Sequence, residues 1–446
     1  MSPLRPLLLS LALGAAALGA PPLRAQDSAL AHPLTLGDAV RLAARLNAQA
    51  EQARDRADAA KARVTQRRSE ILPQLDATAI EGGRTYNSAT FGLPLPGFDP
   101  NGQIIGPVNT FDARAHAALS LVNLASYERI SAASDAYGAS SADAANVGDA
   151  AGQLAGIAYL RLQRAIALVN ARIADSLLAD SLLAIARDQL ASGVGVAIDV
   201  TRAQVQLSSV RAQLISQRAD RDHSRLEFLR VVNLPLGTTF TLADSLEGLA
   251  PDQALPSESA AVATALRMRP DLRAAELQLQ AARTTVKSVQ MERVPSLGVA
   301  ADYGWSALNG GSYLPTYTWG IQFSLPIFDG LRREARIEED QAAVQEAMSR
   351  RQAIYQQASI EVRQALVDAI AAREQLVVAR ERLALSTLEV AQARERFIAG
   401  VAGNLDVIQA SSNLNTSRSQ LIEALANFQA ARLAFARAEG VILSIP

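Results

Sequence analysis

The placement of proline constrains the fold of this chain more than any other feature. Residues 108–234 and 327–445 contain no proline, and both stretches are rich in alanine, leucine, glutamine, arginine and glutamate. Proline interrupts a helix, whereas those residue types favour one, so each stretch predicts very long helices.

Each proline-free stretch contains one glycine-bearing break, Gly193-Val194-Gly195 in the first and Gly400-Val401-Ala402-Gly403 in the second. Glycine ends helices by adopting the left-handed conformation. Each stretch is therefore predicted to be a helical hairpin, about 127–234 (arms 127–192 and 198–234) and about 331–440 (arms 331–399 and 405–440).

The first arm of each hairpin would be about 100 Å long at 1.5 Å per residue. Apolar side chains recur along the second hairpin at spacings typical of coiled coils: Ile360, Val367, Ile370, Val377 and Leu388 in its first arm, and Leu414, Leu421, Leu425, Phe428 and Leu433 in its second. Mixed steps of seven and eleven predict a helix seam with little supercoil. One globular core cannot cover helices of this length, so a coiled coil or tube is expected.

Four segments outside the hairpins alternate apolar and polar residues, which predicts strands: about 73–82, 111–124, 295–306 and 316–328. About ten residues suffice for a tilted membrane-spanning strand.

Seven of the 20 aromatic residues lie between Tyr303 and Phe328, which is typical of the aromatic girdle of a membrane barrel. The predicted girdle residues are Tyr303, Trp305, Tyr317 and Trp319. A soluble hairpin with an aromatic core is the alternative. Residues 84–110 and 307–316 are predicted to be exposed loops.

The two halves of the chain align with each other. Glu70 overlays Glu292 at an offset of 222 residues, and Asp199 overlays Asp406 at an offset of 207. This predicts a duplicated unit, with a first structural repeat at 26–235 and a second at 236–446.

Four strands cannot close a barrel with a lumen, and lipid does not tolerate open sheet edges. Several chains must then share one barrel, and three chains with twelve strands are the simplest closure.

The N-terminal segment predicts export. Residues 1–25 read MSPLRPLLLSLALGAAALGAPPLRA, which has a basic residue, an apolar run and a small residue at Ala25, as a signal peptide does. Cleavage is expected between Ala25 and Gln26.

Composition argues against several classes of function. Lysine plus arginine (43) balance aspartate plus glutamate (44), so no basic field for nucleic acid exists. Cysteine is absent, and the three histidines, His32, His116 and His223, lack the spacing of a metal site or a catalytic triad. The sequence therefore predicts no enzyme, no cofactor and no bound metal.

Taken in order, four motifs resemble the TolC-like outer-membrane efflux proteins. They are RPDLRAAELQLQAAR (269–283), VPSLGVAADYGW (294–305), WGIQFSLPIFDGLRR (319–333) and RFIAGVAGNLDVIQASSNL (396–414). The resemblance covers about 30–440. It implies a mainly α, mixed fold: a homotrimer in the outer membrane with a twelve-stranded barrel, a periplasmic helical tunnel and an equatorial belt formed by 31–50 and 236–268.

The resemblance also implies roles for the hairpin tips. In such channels the tips contact a periplasmic adaptor (membrane fusion) protein, here at Gly193, Val194, Gly195, Gly400, Val401 and Ala402. The pore constriction would be at Asp406, Gln409 and Phe397. The best-known member has two acids where this chain has Asp406 and Gln409, and it locks its entrance with a tyrosine and an arginine where this chain has Phe397 and Ala402. We therefore expect the entrance to depend more on packing of Phe397.

For the two tip acids, a local role at a helix N-terminus remains an alternative to a role in the pore. Asp406 and Asp199 each follow a turn, where an acid caps or complements a helix N-terminus. For Asp199 the cap is favoured, whereas Asp406 is equally consistent with a cation-attracting ring.

The implied function is the outer-membrane channel of a tripartite efflux or type I secretion system, working with an adaptor and an inner-membrane pump of RND or ABC type. The alternative is a soluble periplasmic coiled-coil adaptor or scaffold, which would have one hairpin rather than two matched halves. A diffusion porin is disfavoured by the long helices.

Overall fold

The computed structural model describes residues 32–91, 99, 102–248, 255–401 and 403–445. The predicted signal peptide, the tip residue Ala402 and part of the belt segment 236–268 lie outside these ranges. The described chain is mainly helical and contains one four-stranded antiparallel sheet. The predicted fold class, two long helical hairpins with four strands per chain, is confirmed.

The helices and strands follow the same order in each half. In the first half they are α1 (Leu36–Leu46), α2 (Ala48–Arg68), β1 (Gln74–Asn87), β2 (Ile104–Val122), α3 (Leu124–Ala191) and α4 (Ala197–Val232). In the second half they are α5 (Glu258–Met268), α6 (Pro270–Gln290), β3 (Ser296–Leu308), β4 (Leu314–Ser324), α7 (Arg332–Ile398) and α8 (Asn404–Ala438).

The first strand pair is longer than its alternation predicts. β1 and β2 continue to pair beyond Gly82, with Arg84 opposite Val108 and Tyr86 opposite Ile105. Much of the predicted loop 84–110 is therefore strand. β4 ends at Ser324, earlier than predicted, because Pro326 has no N–H to continue the ladder.

The sheet has two chemically different faces. Its strand order is β1-β2-β3-β4. Tyr303 lies opposite Tyr317 and Ala301 opposite Trp319, which places these aromatic side chains on one face. On the other face His116 lies opposite Asp302, and their Nδ1 and Oδ1 atoms are 2.7 Å apart. β1 and β4 have no further strand beside them in the described chain.

The helices form a wall in which long continuous helices alternate with pairs of shorter ones. α3 packs against α2 and α4 and also against α6 and α8, while α7 packs against α6 and α8. The lateral order is therefore α2 with α4, then α3, then α6 with α8, then α7. The first edge of the wall continues into β1, and α7 follows β4, so the sheet and the wall share their two lateral edges.

Equivalent residues of the two repeats join the paired shorter helices. The Asn47 side-chain amide donates to the carbonyl of Val231 (2.8 Å), and that of Asn233 donates to Leu46 (3.0 Å). In the second repeat the Arg269 guanidinium donates to the carbonyl of Ala438 (3.3 Å). Asn233 and Gly440 both adopt positive φ there, which ends α4 and α8 and turns the chain away.

The segments predicted to form a belt pack against the middle of this wall. Tyr159 of α3 is fully buried among residues of α1, α4 and α8, and its hydroxyl contacts the carbonyl of Leu34 (2.8 Å) and Asp244 Oδ2 (3.0 Å). A parallel bridge joins Leu34 to Leu242. α5 packs against α7.

Small residues on α3 allow neighbouring elements to approach closely. A Cβ at Gly156 would lie 2.5 Å from Leu433 Cδ2 and 3.3 Å from Val40 Cγ2, both in the buried core. A Cβ at Gly148 would meet nothing nearer than 3.7 Å. The glycines therefore differ in how strictly packing excludes a side chain.

We expect Gly156→Val to destabilise the fold by about 1–3 kcal/mol through overpacking against Leu433. The matched control Gly148→Ala should be neutral or slightly stabilising, because alanine favours a helix interior by about 1 kcal/mol over glycine. Apparent thermal midpoints from far-ultraviolet circular dichroism in detergent compare the two. Equal midpoints would contradict close packing at Gly156.

Candidate functional site

Both hairpin tips are built as the same helix-ending turn. In the first tip Gly193 has φ +76°, its N–H donates to Leu190 O (3.1 Å), and the Val194 N–H donates to Gln189 O (3.0 Å). In the second tip Gly400 has φ +71°, and the N–H of Val401 donates to Arg396 O (3.0 Å). These are Schellman motifs, which need a residue without a Cβ penalty at positive φ.

The apex of each turn exposes a valine. Val194 is 80% exposed and Val401 is 73% exposed. In Schellman turns the residue at this position commonly packs on the preceding helix. Here both side chains remain accessible to a partner.

The two tips are packed together into one unit. Phe397 is 3% exposed and lies in a cluster with residues of α3, α4 and α8: Ala179, Leu182, Leu183, Ala186, Ala203, Leu207 and Val407. The Gln189 side chain donates to Phe397 O (3.0 Å), and that of Asn404 donates to Asp199 O (2.8 Å). Within one chain Phe397 is therefore a core residue between the hairpins, while its role at a constriction remains a prediction.

Asp406 and Gln409 lie on the outside of this tip unit. Both are exposed and are three residues apart on α8, so they share a face of the helix. Gln409 Nε2 donates to Asn413 Oδ1 (3.3 Å), and Asn413 contacts Glu389 of α7 (3.1 Å). Asp406 forms no ion pair with any described residue. Its carboxylate is thus available to a pore or solvent.

Asp199 is not the N-cap residue of α4, although its position after the turn favours that role. The N-cap of α4 is Val196, which makes no side-chain cap hydrogen bond, and Asp199 lies in the first turn. Its carboxylate is 3.6 Å from the Arg202 guanidinium on the same helix. Asp199 therefore complements the positive end of the helix dipole rather than capping it.

The predicted girdle residues form an exposed aromatic patch. Tyr303, Trp305, Tyr317 and Trp319 are 55%, 47%, 76% and 69% exposed. The rings of Tyr303 and Trp305 meet edge to face with centroids 5.5 Å apart. A soluble hairpin would bury these rings in a core, whereas lipid contact requires them on the outside.

The apolar stripe on α7 is also exposed, unlike the one on α8. Val367 is 64% and Val377 59% exposed, whereas Leu414 and Leu433 are 3% and 1% exposed. The α8 stripe thus forms a seam inside the chain, and the α7 stripe does not. α4, on the opposite edge, exposes Val205 (65%) and Ile215 (69%). Exposed apolar stripes along both edges indicate an interaction surface.

A buried ion cluster between α3 and α8 was not apparent from the sequence. The Asp175 carboxylate has no exposed surface and contacts Arg172 (2.8 Å) and Arg418 (2.6 Å). With its amide nitrogen turned toward the carboxylate, Asn415 donates as well (2.7 Å). Burial raises the pKa of the Asp175 carboxyl, and both arginines oppose that change. The only sequence signal was an acid within an alanine- and leucine-rich arm, which does not reveal its partners.

A second cluster explains the RPDL motif. Arg269 is 5% exposed and forms a bidentate contact with Asp271 (2.6 and 3.0 Å). It also contacts Glu361 of α7 (2.6 Å). The motif therefore fixes the start of α6 against α7 and the end of α8.

None of the helices in the described ranges is long and apolar enough to cross a membrane. Within those ranges no group of three or more acidic or histidine side chains is arranged to hold a metal ion.

Two long helical hairpins and one four-stranded sheet with open edges characterise the fold of this chain. Residues 261–441 match the family model described as outer membrane efflux protein. The resemblance to the TolC-like outer-membrane efflux proteins is confirmed, and that family consists of channels rather than enzymes.

Individual relatives are described in similar terms. The chain is 26% identical over 259 residues to outer membrane efflux protein BepC of Brucella suis, covering 57% of this chain and 55% of that protein. It is 27% identical over 245 residues to solvent efflux pump outer membrane protein SrpC of Pseudomonas putida, covering 52% and 49%. The matched segments thus span about half the length of these relatives.

Solved structures share the fold over nearly the whole chain. The open state of the MtrE outer membrane channel of Neisseria gonorrhoeae superposes with a TM-score of 0.75 at 17% identity, covering 92% of this chain and 89% of that one. The outer membrane protein VceC of Vibrio cholerae superposes with a TM-score of 0.71 at 18% identity, covering 91% and 96%.

We expect Asp175→Asn to destabilise the helical wall by about 3–5 kcal/mol, because it leaves the half-buried Arg172 and Arg418 without a countercharge. Asp180→Asn is the matched control, since Asp180 on the same helix is 63% exposed and lies 3.6 Å from an exposed Arg211. Surface pairs of that kind contribute at most about 1 kcal/mol. Chemical denaturation in detergent measures both variants, and equal midpoints would count against the ion cluster.

Proposed function

We propose that this protein is the outer-membrane channel of a tripartite efflux or type I secretion system and that it acts as a homotrimer. The observation that carries this proposal is that the sheet and the helical wall are open along the same two edges. β1, α2 and α4 lie along one edge, and β4 and α7 lie along the other.

We expect the open edges of two chains to pair in the same way as the two repeats pair within one chain. Inside the chain the first repeat joins the second through β2 with β3, and through α3 with α6 and α8. Applied once more, the same relation pairs β4 with β1, and α7 with α2 and α4, of a second copy. Such head-to-tail contacts generate a ring when the rotation closes.

Three copies give the simplest closed barrel, with twelve strands. The apolar aromatic face of the sheet would contact outer-membrane lipid, and the face carrying His116 and Asp302 would line the lumen. The exposed stripes of α7 and α4 would be buried between subunits. The helical wall would then form a periplasmic tunnel, with the belt segments around its middle.

The hairpin tips are the proposed docking site for a periplasmic adaptor. The exposed valines Val194 and Val401 offer apolar contact on a rigid base, since Phe397 and the Gln189 and Asn404 hydrogen bonds hold the tips together. The adaptor would link this end to an inner-membrane pump of RND or ABC type. The similarity to outer membrane efflux protein BepC and to solvent efflux pump outer membrane protein SrpC supports this role.

Purification of the unmodified protein in detergent tests the proposed trimer. Mass measured by light scattering in detergent should equal three chains, and migration on a denaturing gel should change on heating. A soluble monomer obtained without detergent would overturn the proposal and favour the periplasmic adaptor or scaffold. Restored drug or solvent resistance in an efflux-deficient host would test the transport role separately.

We expect Asp406→Ala to lower the cation selectivity of single channels severalfold, because a ring of three carboxylates in a narrow pore favours cations. Asp199→Ala is the matched control, since Asp199 has the equivalent place on α4 but pairs with Arg202. Reversal potentials in planar bilayers under a salt gradient measure the effect. Unchanged selectivity in Asp406→Ala would leave that acid only a local role at the start of α8.

A further inference from the structure

Four charged side chains meet where the helical wall joins the sheet. Arg129 of α3 donates to Glu70 Oε2 (3.2 Å) and to Glu292 Oε1 (3.1 Å). Arg336 of α7 donates to both oxygens of Glu292 (2.9 and 3.2 Å). The chain thus holds a row of alternating charges, Glu70, Arg129, Glu292 and Arg336.

This row follows the internal duplication. Glu70 and Glu292 occupy equivalent short turns just before β1 and β3, and Arg129 and Arg336 are separated by 207 residues, the offset that also relates the two hairpin tips. Arg129 joins the glutamate of its own repeat to that of the next repeat. Among the charged residues that the structure describes, Arg336 pairs with the glutamate of its own repeat alone.

The two glutamates differ in the number of long helices beside them. Glu292 lies between α3 and α7 and receives an arginine from each. Glu70 receives Arg129 from α3, and its other arginine, Arg67, comes from its own helix α2. On the far side of α2 the described chain has no long helix. Arg336 is correspondingly more exposed than Arg129, with 41% of its side chain accessible against 32%.

We propose that Arg336 also binds Glu70 of the partner subunit, so that the row closes into a continuous ring of carboxylates and guanidinium groups around the channel. This proposal rests on the ring-shaped assembly proposed above. The occupant of the open edge is a second copy of this chain, because the Arg129 bridge between the repeats already shows the geometry that Arg336 would repeat.

The electrostatics of the row suit such a contact. Burial raises the pKa of Glu70 and Glu292, but hydrogen bonds from their arginines outweigh it and hold both pKa values below the ordinary range. Both glutamates are therefore ionised at neutral pH. An arginine placed between two carboxylates can satisfy both through its several N–H donors, as Arg129 does.

Cross-linking between differently tagged chains tests the contact directly, since the natural chain contains no cysteine. Glu70→Cys is placed on one tagged chain and Arg336→Cys on the other. The two are co-expressed and treated with a short bis-maleimide. We expect a covalent product carrying both tags. The proposal is overturned if the assembly has the mass of a trimer but yields no such product.

The control pair places Glu292→Cys on one chain and Arg336→Cys on the other. These positions are neighbours within a chain, so a product carrying both tags should be absent or at least tenfold weaker. The same two substitutions in one chain should cross-link internally, which verifies the reagent when the intact mass shows one reagent molecule joining the two cysteines rather than one on each. The mass of each sample in detergent separates the proposals: a monomer would overturn the assembly and the charge ring together, whereas a trimer without the cross-link would overturn the ring alone.

Discussion

The packing of neighbouring helices along α3 is the constraint on which the rest of the structure depends. α3 contacts α2 and α4 on one side and α6 and α8 on the other, and it joins the two repeats. Helices about 100 Å long cannot be enclosed by the short segments that remain in the chain. The wall of the described chain therefore stays open at α7 and at α4, and the apolar stripes along these two edges remain exposed.

The internal duplication indicates which partner would cover the open edges. The interface between the repeats is already built inside each chain, through β2 with β3 and through α3 with α6 and α8. The equivalent junctions at Asn47 and Asn233, and at Arg269 and Gly440, show that both repeats keep the same stacking of shorter helices. This repetition is the reason why we propose a second copy of the chain as the partner of the open edges.

The sequence predicts the helices and strands well because their signals are local. Missing prolines, glycine breaks and period-two alternation each reflect the backbone of one segment. The sequence predicts poorly which helices pack together. The apolar stripes of α7 and α8 have similar spacing, but Val377 of α7 is exposed and Leu414 of α8 is buried. Asp175 was missed for the same reason, because its arginine Arg418 is distant in sequence and meets it only through the packing of α8 on α3.

The two tips differ in chemistry although their backbones agree. Both end in a Schellman turn with an exposed valine, but α4 begins with an acid paired to Arg202, and α8 begins with an acid that no described residue neutralises. The links between the tips are also unequal, since Gln189 and Asn404 have no matching partner in the other repeat. In the proposed channel, both tips would make the contacts of the exposed valines, and Asp406 of the second tip would carry the unneutralised negative charge at the pore. Because the two turns form with different residues at these positions, the fold does not require those residues, and in the proposed channel they are the positions at which the roles of the two tips would differ.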